Sequence, residues 1–533
     1  MSLDSRRWLI PSQLGMLFVT ASLVGCGSLP KPRPEWSERL TVDAQDTTWA
    51  RTAARSAAGE PGSSGVELVP YGRDALSARL ALADTAERSL DLQYYIWLPD
   101  NAGRLLAQRV LTAANRGVRV RLLLDDVGGT ASDEVLLALN SHTNVQVRIF
   151  NPIANRTFRS LSLLSDFQRA SRRMHNKSFT VDRSVTILGG RNVAESYFAL
   201  GKEARYKDIG VILAGPAVGH VEKMFERFWY STSSIPIQAL SPKHLSPTRL
   251  AEINASLAAH TKAITNLPDF KALASNELGA ALRRHELELV WGPVRMVSDL
   301  PEKVTTNPED ESTHLLPALR TVANGTTKEL VVVSPYFVPG EKGMEFFRSL
   351  RQRGVRVVVL TDSLAANEVL AVHAGYRRYR EALLLAGVQL WEMKPDIEIR
   401  TSTQQHDSGS TGDSKRPGSS LHGKVMIFDR QNLFVGSFNF SRRSASLNTE
   451  DGVVVGIPQL AERAARALEK WLPENAYRVE FVPDPGACRE CGHLIWESKE
   501  NGREVSYSRE PRASFSRRLK VDLLSLLPIE KQL

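Results

Sequence analysis

One short pattern occurs twice in this chain, and the duplication constrains the fold more than any other feature. A histidine is followed two residues later by a lysine and five residues after that by an aspartate. The copies are His175, Lys177 and Asp182, then His422, Lys424 and Asp429. Both are followed at equal offsets by a glycine-containing pair and an asparagine. A chain with two such copies is expected to fold as two equivalent halves.

The sequence around the two copies repeats as well. The pentapeptide Arg-Gly-Val-Arg-Val begins at Arg116 and at Arg353, each time joining a predicted helix to a predicted strand. Periodicity predicts strand, helix and strand at 89–96, 103–115 and 116–124, and again at 329–338, 343–353 and a strand ending at Leu360. This order predicts an α/β fold of two pseudo-twofold related α-β-α halves. Each half is a mainly parallel mixed sheet flanked by helices, and one active site forms between them.

Composition shifts suggest where the domains begin. We expect a signal peptide at 1–26, a flexible Pro/Gly/Ser linker at 27–65, a first half at 66–270 and a second half at 271–533. The motifs lie near 170–197 and 417–444, and a C-terminal extension follows from about 480. A polar loop at 408–420 accounts for the longer spacing in the second half.

The N-terminus predicts export. Arg6 and Arg7 precede an apolar run at 14–24, which is too short to span a membrane but suits a signal peptide. The run ends at Cys26 in a sequence that resembles a bacterial lipobox, so we expect a lipidated, periplasm-facing protein of the cell envelope. Gly27 favours the outer over the inner membrane. A plain secretory signal is the alternative, and the Sec and twin-arginine routes both remain open.

Charge and cysteine content add less. The formal net charge of +9 over 533 residues favours anionic partners, but no concentrated basic stretch indicates nucleic acid. If Cys26 is acylated, Cys488 and Cys491 remain, and their spacing allows a disulfide in an oxidising compartment.

The duplicated residues suit attack on one phosphate diester. A neutral imidazole is nucleophilic near pH 7, while a second imidazole can carry the proton of the departing alkoxide. Lysine ammonium groups and asparagine amides can stabilise the negative charge at phosphorus without a metal or cofactor. The predicted substrate-binding residues are Asn192, Asn439, Gly190 and Ser437. Glu195 and Glu450, downstream of the two motifs, are expected to hold the imidazoles in the needed tautomer.

Strand periodicity ranks the motif residues. On a predicted strand at 174–181, His175 and Lys177 project from the same face, and the second motif repeats this spacing. Asp182 and Asp429 have the opposite parity. They belong to the catalytic motif but are expected to act as supporting charges beyond the strand end.

The sequence resembles the phospholipase D superfamily, whose signature is this duplicated HKD motif. The stretches 172–179, 189–192 and 441–450 are most similar to the bacterial cardiolipin synthase branch, in particular its C type. The resemblance implies transfer through a covalent phosphohistidine, with His175 as nucleophile and His422 as acid and then base. It also implies phospholipid substrates: phosphatidylglycerol as acceptor, and phosphatidylglycerol or phosphatidylethanolamine as donor.

Three other functions compete with a phosphatidyltransferase. A phospholipase D hydrolase would use the same site with water as acceptor. A phosphodiesterase nuclease is disfavoured by the absence of a basic stretch, and a non-enzymatic scaffold by the complete double motif.

Several further residues carry two interpretations. Tyr94, Tyr95, Tyr336 and Phe337 occupy repeat-equivalent strand ends and could line a lipid pocket, but core packing is favoured. Asp125 resembles half of a metal-binding pair with Asp126, and we treat both as structural.

Overall fold

The computed structural model describes residues 29–37, 42–57, 59–127, 132–156, 159, 166–201, 205–241, 244–395, 419–486, 488, 491–500, 502–528 and 530–533. The lipobox with Cys26 and nearly all of the polar loop at 408–420 lie outside these residues.

The first half is built on a nine-stranded mixed sheet with the order β10-β1-β8-β6-β5-β2-β3-β4-β9. Strands β2, β3 and β4 are parallel, and the other neighbours are antiparallel. The strands up to this point of the chain are β1 Ser64–Val69, β2 Ser89–Tyr94, β3 Arg119–Asp125, β4 Val145–Phe150, β5 Ser178–Val181, β6 Val185–Gly189, β7 Arg205–Lys207, β8 Gly210–Ala214, β9 Ser234–Pro236 and β10 Val290–Gly292.

The second half repeats this topology in a ten-stranded sheet, β11-β18-β17-β16-β12-β13-β14-β19-β20-β21. The order from β11 to β19 matches that from β1 to β9 strand for strand, which confirms the predicted duplication. The remaining strands are β11 Val294–Ser298, β12 Glu329–Val333, β13 Arg356–Asp362, β14 Gln389–Met393, β15 Ser419–Leu421, β16 Val425–Phe428, β17 Asn432–Gly436, β18 Asp451–Val455, β19 Ala476–Pro483, β20 Gly492–Glu500 and β21 Arg503–Tyr507.

Helices flank both sheets. The α-helices span Thr48–Ser56, Gly72–Thr85, Asn101–Asn115, Asp133–Asn140, Phe167–Ala170, Pro216–Trp229, Ile237–Leu240, Pro247–Ile264, Pro268–Ala274, Glu277–Arg283, Leu316–Asn324, Gly340–Gln352, Leu370–Arg377, Arg380–Leu385, Pro458–Asn475 and Phe515–Ser525. Among the described residues, no helix combines the length and apolarity needed to cross a membrane.

Local chemistry sets where these elements begin. The helix predicted at 103–115 starts at Asn101, because the Asp100 side chain accepts a hydrogen bond from the Gly103 amide at 2.9 Å and caps the first turn. Inside the helix, Leu106 and Val110 are buried one turn apart, so its apolar face packs on the sheet.

The two halves pack face to face through their sheets. Val66, Leu188 and Val211 of the first sheet share one buried apolar cluster with Leu433 and Val453 of the second. Because this cluster is continuous, the halves form a single body, and the ends of equivalent strands lie on either side of one cleft.

The boundary expected between 270 and 271 was wrong. β10, Val290–Gly292, pairs with β1 and belongs to the first sheet, and the chain enters the second sheet at Val294. The helices Pro268–Ala274 and Glu277–Arg283 pack on Gly72–Thr85 of the first half. The first half therefore runs to Gly292. β8 pairs with one edge of β1, and β10 pairs with the other edge, which would otherwise have unpaired backbone groups.

The segment predicted as a flexible linker at 27–65 is partly folded. Thr47 caps the helix Thr48–Ser56, on which Trp49 is 0% exposed and packs in the core of the first half. The Trp49 indole Nε1 donates to Thr85 Oγ1 at 3.0 Å. This stretch is thus part of the domain. A fully buried tryptophan removes a large apolar area from water, and this stabilises a segment whose other residues are mostly small and polar.

The C-terminal extension closes the second sheet at its far edge. Strands β19, β20 and β21 form an antiparallel meander, and Cys488 and Cys491 are joined by a disulfide in the β19–β20 connection.

Replacement of Trp49 by alanine is expected to destabilise the first half by about 3 kcal/mol or more, because it leaves a large cavity in the core. A thermal midpoint several degrees lower would show this. Arg51→Ala, on the exposed side of the same helix, is the control and should leave the midpoint nearly unchanged. Equal midpoints for the two variants would contradict the inclusion of this helix in the domain.

Candidate active site

Both motif segments lie immediately before a strand rather than within it. The strand expected at 174–181 begins only at Ser178, so His175 and Lys177 precede it. The reason is a contact with the other half. The His175 amide donates to the Thr449 carbonyl at 2.8 Å. In the second motif the His422 and Gly423 amides donate to the Lys207 carbonyl at 2.8 and 2.9 Å.

Each catalytic imidazole is paired with a carboxylate from the opposite half. His175 Nδ1 donates to Glu450 Oε2 at 2.7 Å, and His422 Nδ1 donates to Asp208 Oδ2 at 2.5 Å. Both carboxylates are buried. Because each carboxylate holds Nδ1–H, the Nε2 atom of each ring carries the free lone pair in the neutral tautomer.

The expected role of Glu195 at an imidazole was wrong. Its Oε1 accepts from Asn101 Nδ2 at 2.7 Å, and His422 pairs with Asp208 instead. The sequence does carry a signal for this residue. Asp208 stands two residues before Gly210 at the start of β8, just as Glu450 stands two residues before Gly452 in β18, and these glycines pair with Gly189 and Gly436.

Gly190 and Ser437 support the carboxylates, which corrects their expected role in binding substrate. Ser437 Oγ donates to Glu450 Oε2 at 2.5 Å, and Ser444 Oγ donates to the other carboxylate oxygen at 2.6 Å. At Gly190, a Cβ atom would stand 2.7 Å from the Asp208 carboxylate. The glycine therefore makes room for one carboxylate where the serine holds the other.

The two motif lysines are almost completely buried at the same site. Lys177 Nζ donates to the His175 carbonyl, and Lys424 Nζ donates to that of His422. Burial lowers the pKa of Lys424 to about 8. Burial also lowers the pKa of Lys177, and the nearby positive charge of Lys424 adds to this effect. Two buried ammonium groups that lower each other's affinity for a proton favour an anion between them.

Burial also keeps both imidazoles neutral. It lowers the pKa of His175 to about 4, although the Glu450 carboxylate acts in the opposite direction. Burial, with the charge of Lys424, lowers the pKa of His422 to about 3. For Asp208, burial alone raises the pKa, but His422, Arg191 and Lys424 outweigh it and hold the pKa below its usual range. The site thus combines neutral rings with ionised carboxylates.

The asparagines predicted to bind substrate are buried beside the motifs. Asn192 Oδ1 accepts from the Ile96 amide at 3.2 Å. Asn439 Oδ1 is buried and has no hydrogen-bond partner within the described part of the chain.

The motif aspartates sit at the far ends of the hairpins and bind backbone. Asp182 accepts hydrogen bonds from three consecutive amides, those of Glu87, Arg88 and Ser89, at 2.7 to 3.0 Å. Asp429 makes the same set with 327–329 at 2.7 to 2.8 Å. They therefore fix the β2 and β12 strands against the hairpins, which is the supporting role expected of them.

A second pair of aspartates, at the ends of β3 and β13, also repeats. Asp125 Oδ2 accepts from the Met174 amide and Asp362 Oδ1 from the Leu421 amide, both at 2.9 Å. Each of these amides immediately precedes a motif histidine. Asp125 is structural, as expected, and Asp362 is its equivalent that the sequence did not reveal.

Aromatic rings surround the two imidazoles. Tyr95 makes an edge contact with His175 at 5.1 Å between ring centroids, and Tyr197 and Tyr206 approach His422 at 4.9 and 5.2 Å. Of the strand-end aromatics predicted as core or pocket, Tyr94 and Phe337 lie in the core, and Tyr95 lies at the site.

Comparison with known proteins shows the family to which the chain belongs. A family model described as "Cardiolipin synthase, PLD-like domain" matches residues 80–229 and 319–472, one stretch in each half. The chain belongs to this family. Cardiolipin synthase C of Escherichia coli strain K12 is 40% identical over 473 residues, which is 88% of this chain and 96% of that protein. An uncharacterized protein of Helicobacter pylori strain J99 is 30% identical over 95% of this chain and 96% of its own.

A solved structure supports the fold of this cardiolipin synthase family member. The crystal structure of phosphatidylserine synthase from Haemophilus influenzae Rd KW20 aligns with a TM-score of 0.53, over 80% of this chain and 91% of that one. At 14% identity this likeness concerns the fold alone.

The pKa of His175 predicts a specific acid sensitivity. A ring with a folded pKa of about 4 and an unfolded pKa near 6.5 takes up its proton more readily in the unfolded chain. Its contribution to the free energy of unfolding is present above about pH 6.5 and is lost as the pH falls towards 4. The difference in thermal midpoint between wild type and His175→Gln should therefore shrink between pH 7 and pH 4.5.

The exposed His220 provides the matched control. Because its ring remains in water, His220→Gln should follow the wild-type midpoint at every pH. A constant difference between wild type and His175→Gln over this range would contradict the neutral, buried state of the His175 ring.

Proposed function

We propose that this protein is a cardiolipin synthase that transfers a phosphatidyl group to phosphatidylglycerol through a phosphohistidine. The observation that carries the proposal is the reciprocal pairing of the two imidazoles, His175 with Glu450 and His422 with Asp208, beside two buried lysines. Family membership and the name of the Escherichia coli relative support this choice of reaction.

In the first step His175 Nε2 attacks phosphorus. A phosphorus–nitrogen bond forms, the bond to the leaving alcohol oxygen breaks, and His422 Nε2–H gives that oxygen its proton. Glu450 holds Nδ1–H of His175, so the Nε2 lone pair faces the phosphate and the positive charge that develops on the ring is stabilised.

In the second step the acceptor hydroxyl gives its proton to His422 Nε2 and its oxygen attacks phosphorus. The phosphorus–nitrogen bond breaks and His175 returns to the neutral form. With phosphatidylglycerol as donor the leaving alcohol is glycerol, and with phosphatidylethanolamine it is ethanolamine. Lys177, Lys424, Asn192 and Asn439 are proposed to bind the phosphoryl oxygens, because ammonium and amide groups stabilise the negative charge of the transition state.

The acid role of His422 requires a proton on a ring that is buried, and burial lowers its pKa. A phosphodiester carries one negative charge, and its arrival next to the ring raises the pKa of His422 again. Binding of the phosphodiester and protonation of His422 are therefore coupled.

We propose a membrane location for this activity. The N-terminal sequence supports acylation of Cys26 and a periplasm-facing lipoprotein, with the outer membrane favoured. Globomycin, which blocks lipoprotein signal cleavage, should cause the unprocessed chain to accumulate. Unchanged processing would refute acylation of Cys26.

The lipid product of the protein can be identified in cells. In a bacterial strain without cardiolipin synthases, wild type should restore cardiolipin and His175→Ala should not, as measured by mass spectrometry of total lipids. His220→Ala, with its exposed ring, is the control and should restore cardiolipin fully. Free phosphatidic acid in place of cardiolipin would instead identify a phospholipase D hydrolase.

Two aspartate variants distinguish a carboxylate that orients a motif histidine from one that only binds backbone. Asp208→Asn should reduce kcat about 10²- to 10⁴-fold with little change in KM, because His422 loses the charge that orients it and stabilises its protonated form. Asp182→Asn should instead lower the thermal midpoint and leave kcat within about a factor of ten, because Asp182 binds only backbone. A similar kcat loss in both variants would argue against the assigned roles.

A further inference from the structure

Five large apolar side chains are exposed together on the C-terminal helix Phe515–Ser525 and the turn after it. Phe515, Leu519, Leu523, Leu526 and Leu527 are 78%, 46%, 58%, 81% and 47% exposed. Residues four apart share one face of a helix, so the first three form a row. We call these five residues the apolar stripe. Isolated apolar side chains are normal on a protein surface, whereas a row of this length marks a contact surface.

The stripe is not the face by which the helix is attached. Val521, on the opposite side, is 0% exposed and packs with Leu364 and Ala374. Arg517 Nε donates to the Leu364 carbonyl at 2.7 Å, and Arg518 Nη2 donates to the Glu510 carbonyl at 2.9 Å. The helix is thus fixed to the second half with its second apolar face turned outwards.

The attached side of the helix is connected to the second motif through a few residues. Arg517 also donates to the Asn367 carbonyl, and the next residue, Glu368, accepts a hydrogen bond from the hydroxyl of Tyr206. The ring of Tyr206 lies 5.2 Å from that of His422. Val369, which follows Glu368, is itself partly exposed. A short chain of contacts therefore joins the attached side of the helix to His422.

The charges around the stripe are mainly basic. Residues 512–525 carry Arg512, Arg517, Arg518 and Lys520 against a single acid, Asp522. Arg512 is paired with Glu500, and Asp522 is paired with Arg377. A row of leucine and phenylalanine beside arginine and lysine matches a bilayer surface with anionic headgroups.

We propose that the apolar stripe inserts into the interface of an anionic phospholipid bilayer and presents the catalytic pocket to lipids of that bilayer. The inference rests on the proposed function, because it explains how a buried site reaches a headgroup without drawing a free lipid from water. It adds a second membrane contact to the predicted lipid anchor, at the opposite end of the chain.

Insertion can be measured without any assay of activity. In the full chain with Cys26→Ser, a Leu523→Cys substitution supplies one free thiol, because Cys488 and Cys491 are paired. An environment-sensitive dye on this thiol should brighten several-fold with vesicles of phosphatidylglycerol and phosphatidylethanolamine. The matched control is Leu267→Cys, which replaces a leucine that is also exposed but lies in the first half.

The outcomes of the dye experiment are distinct. A response at Leu523→Cys alone supports insertion. No response to vesicles, or an equal response at both sites, overturns it. A dye signal that depends on protein concentration and not on vesicles would show that a second copy of the chain covers the stripe.

A second measurement connects insertion to turnover. The double variant Leu519→Ser/Leu523→Ser should lose about tenfold or more in turnover of phosphatidylglycerol in dilute vesicles, because less enzyme is bound. Turnover of a monomeric short-chain phosphatidylglycerol should not change. Loss on both substrates would overturn the proposal. If wild type inserts into vesicles but turns over neither substrate, the proposed function is wrong, whereas insertion of the apolar stripe is supported.

Discussion

The exchange of carboxylates between the halves is the interaction on which the rest of this structure depends. His175 receives its carboxylate from Glu450, and His422 receives its own from Asp208. The backbone amide of each of these histidines also donates a hydrogen bond to a carbonyl of the opposite half. Neither half therefore holds both members of a histidine–carboxylate pair, and both pairs form only where the two halves pack together.

The rest of the duplicated architecture maintains this exchange. Asp125 and Asp362 fix the residue before each histidine, while Asp182 and Asp429 tie each hairpin to the neighbouring strand. The carboxylates of these acids accept hydrogen bonds from backbone amides. These hydrogen bonds stabilise the position of the backbone and make no contact with substrate. The low dielectric surroundings that make such placement strong also keep the imidazoles neutral and the lysines close to deprotonation.

The sequence predicted much of this arrangement because the informative patterns are local. Spacing alone paired His175 with Lys177, and the repeated pentapeptide located equivalent helix–strand junctions. Asp208 was missed because it lies 33 residues after His175 (208 − 175), whereas Glu450 lies 28 after His422 (450 − 422), so equal offsets could not reveal the equivalence. The signal that they share is an acid two residues before a glycine, and strand register shows that these two glycines are equivalent.

Other errors have the same origin. The helix that carries Trp49 looked like a tether because its composition is polar and small, and its burial depends on Thr85 and other residues distant in sequence. The boundary near 270 failed because β10 returns to β1 across more than two hundred residues. Contacts between segments that are distant in sequence do not change the hydrophobic periodicity of either segment, so periodicity could not predict them.

Gly190 and Ser437 give the cleft a direction. They occupy equivalent places, yet one leaves space for an aspartate and the other donates to a longer glutamate that Ser444 also holds. The twofold axis relates the backbones but not the chemistry, so the two ends of the cleft are distinguishable to a substrate. A phosphate placed between the two imidazoles would therefore have different supporting groups on its two sides.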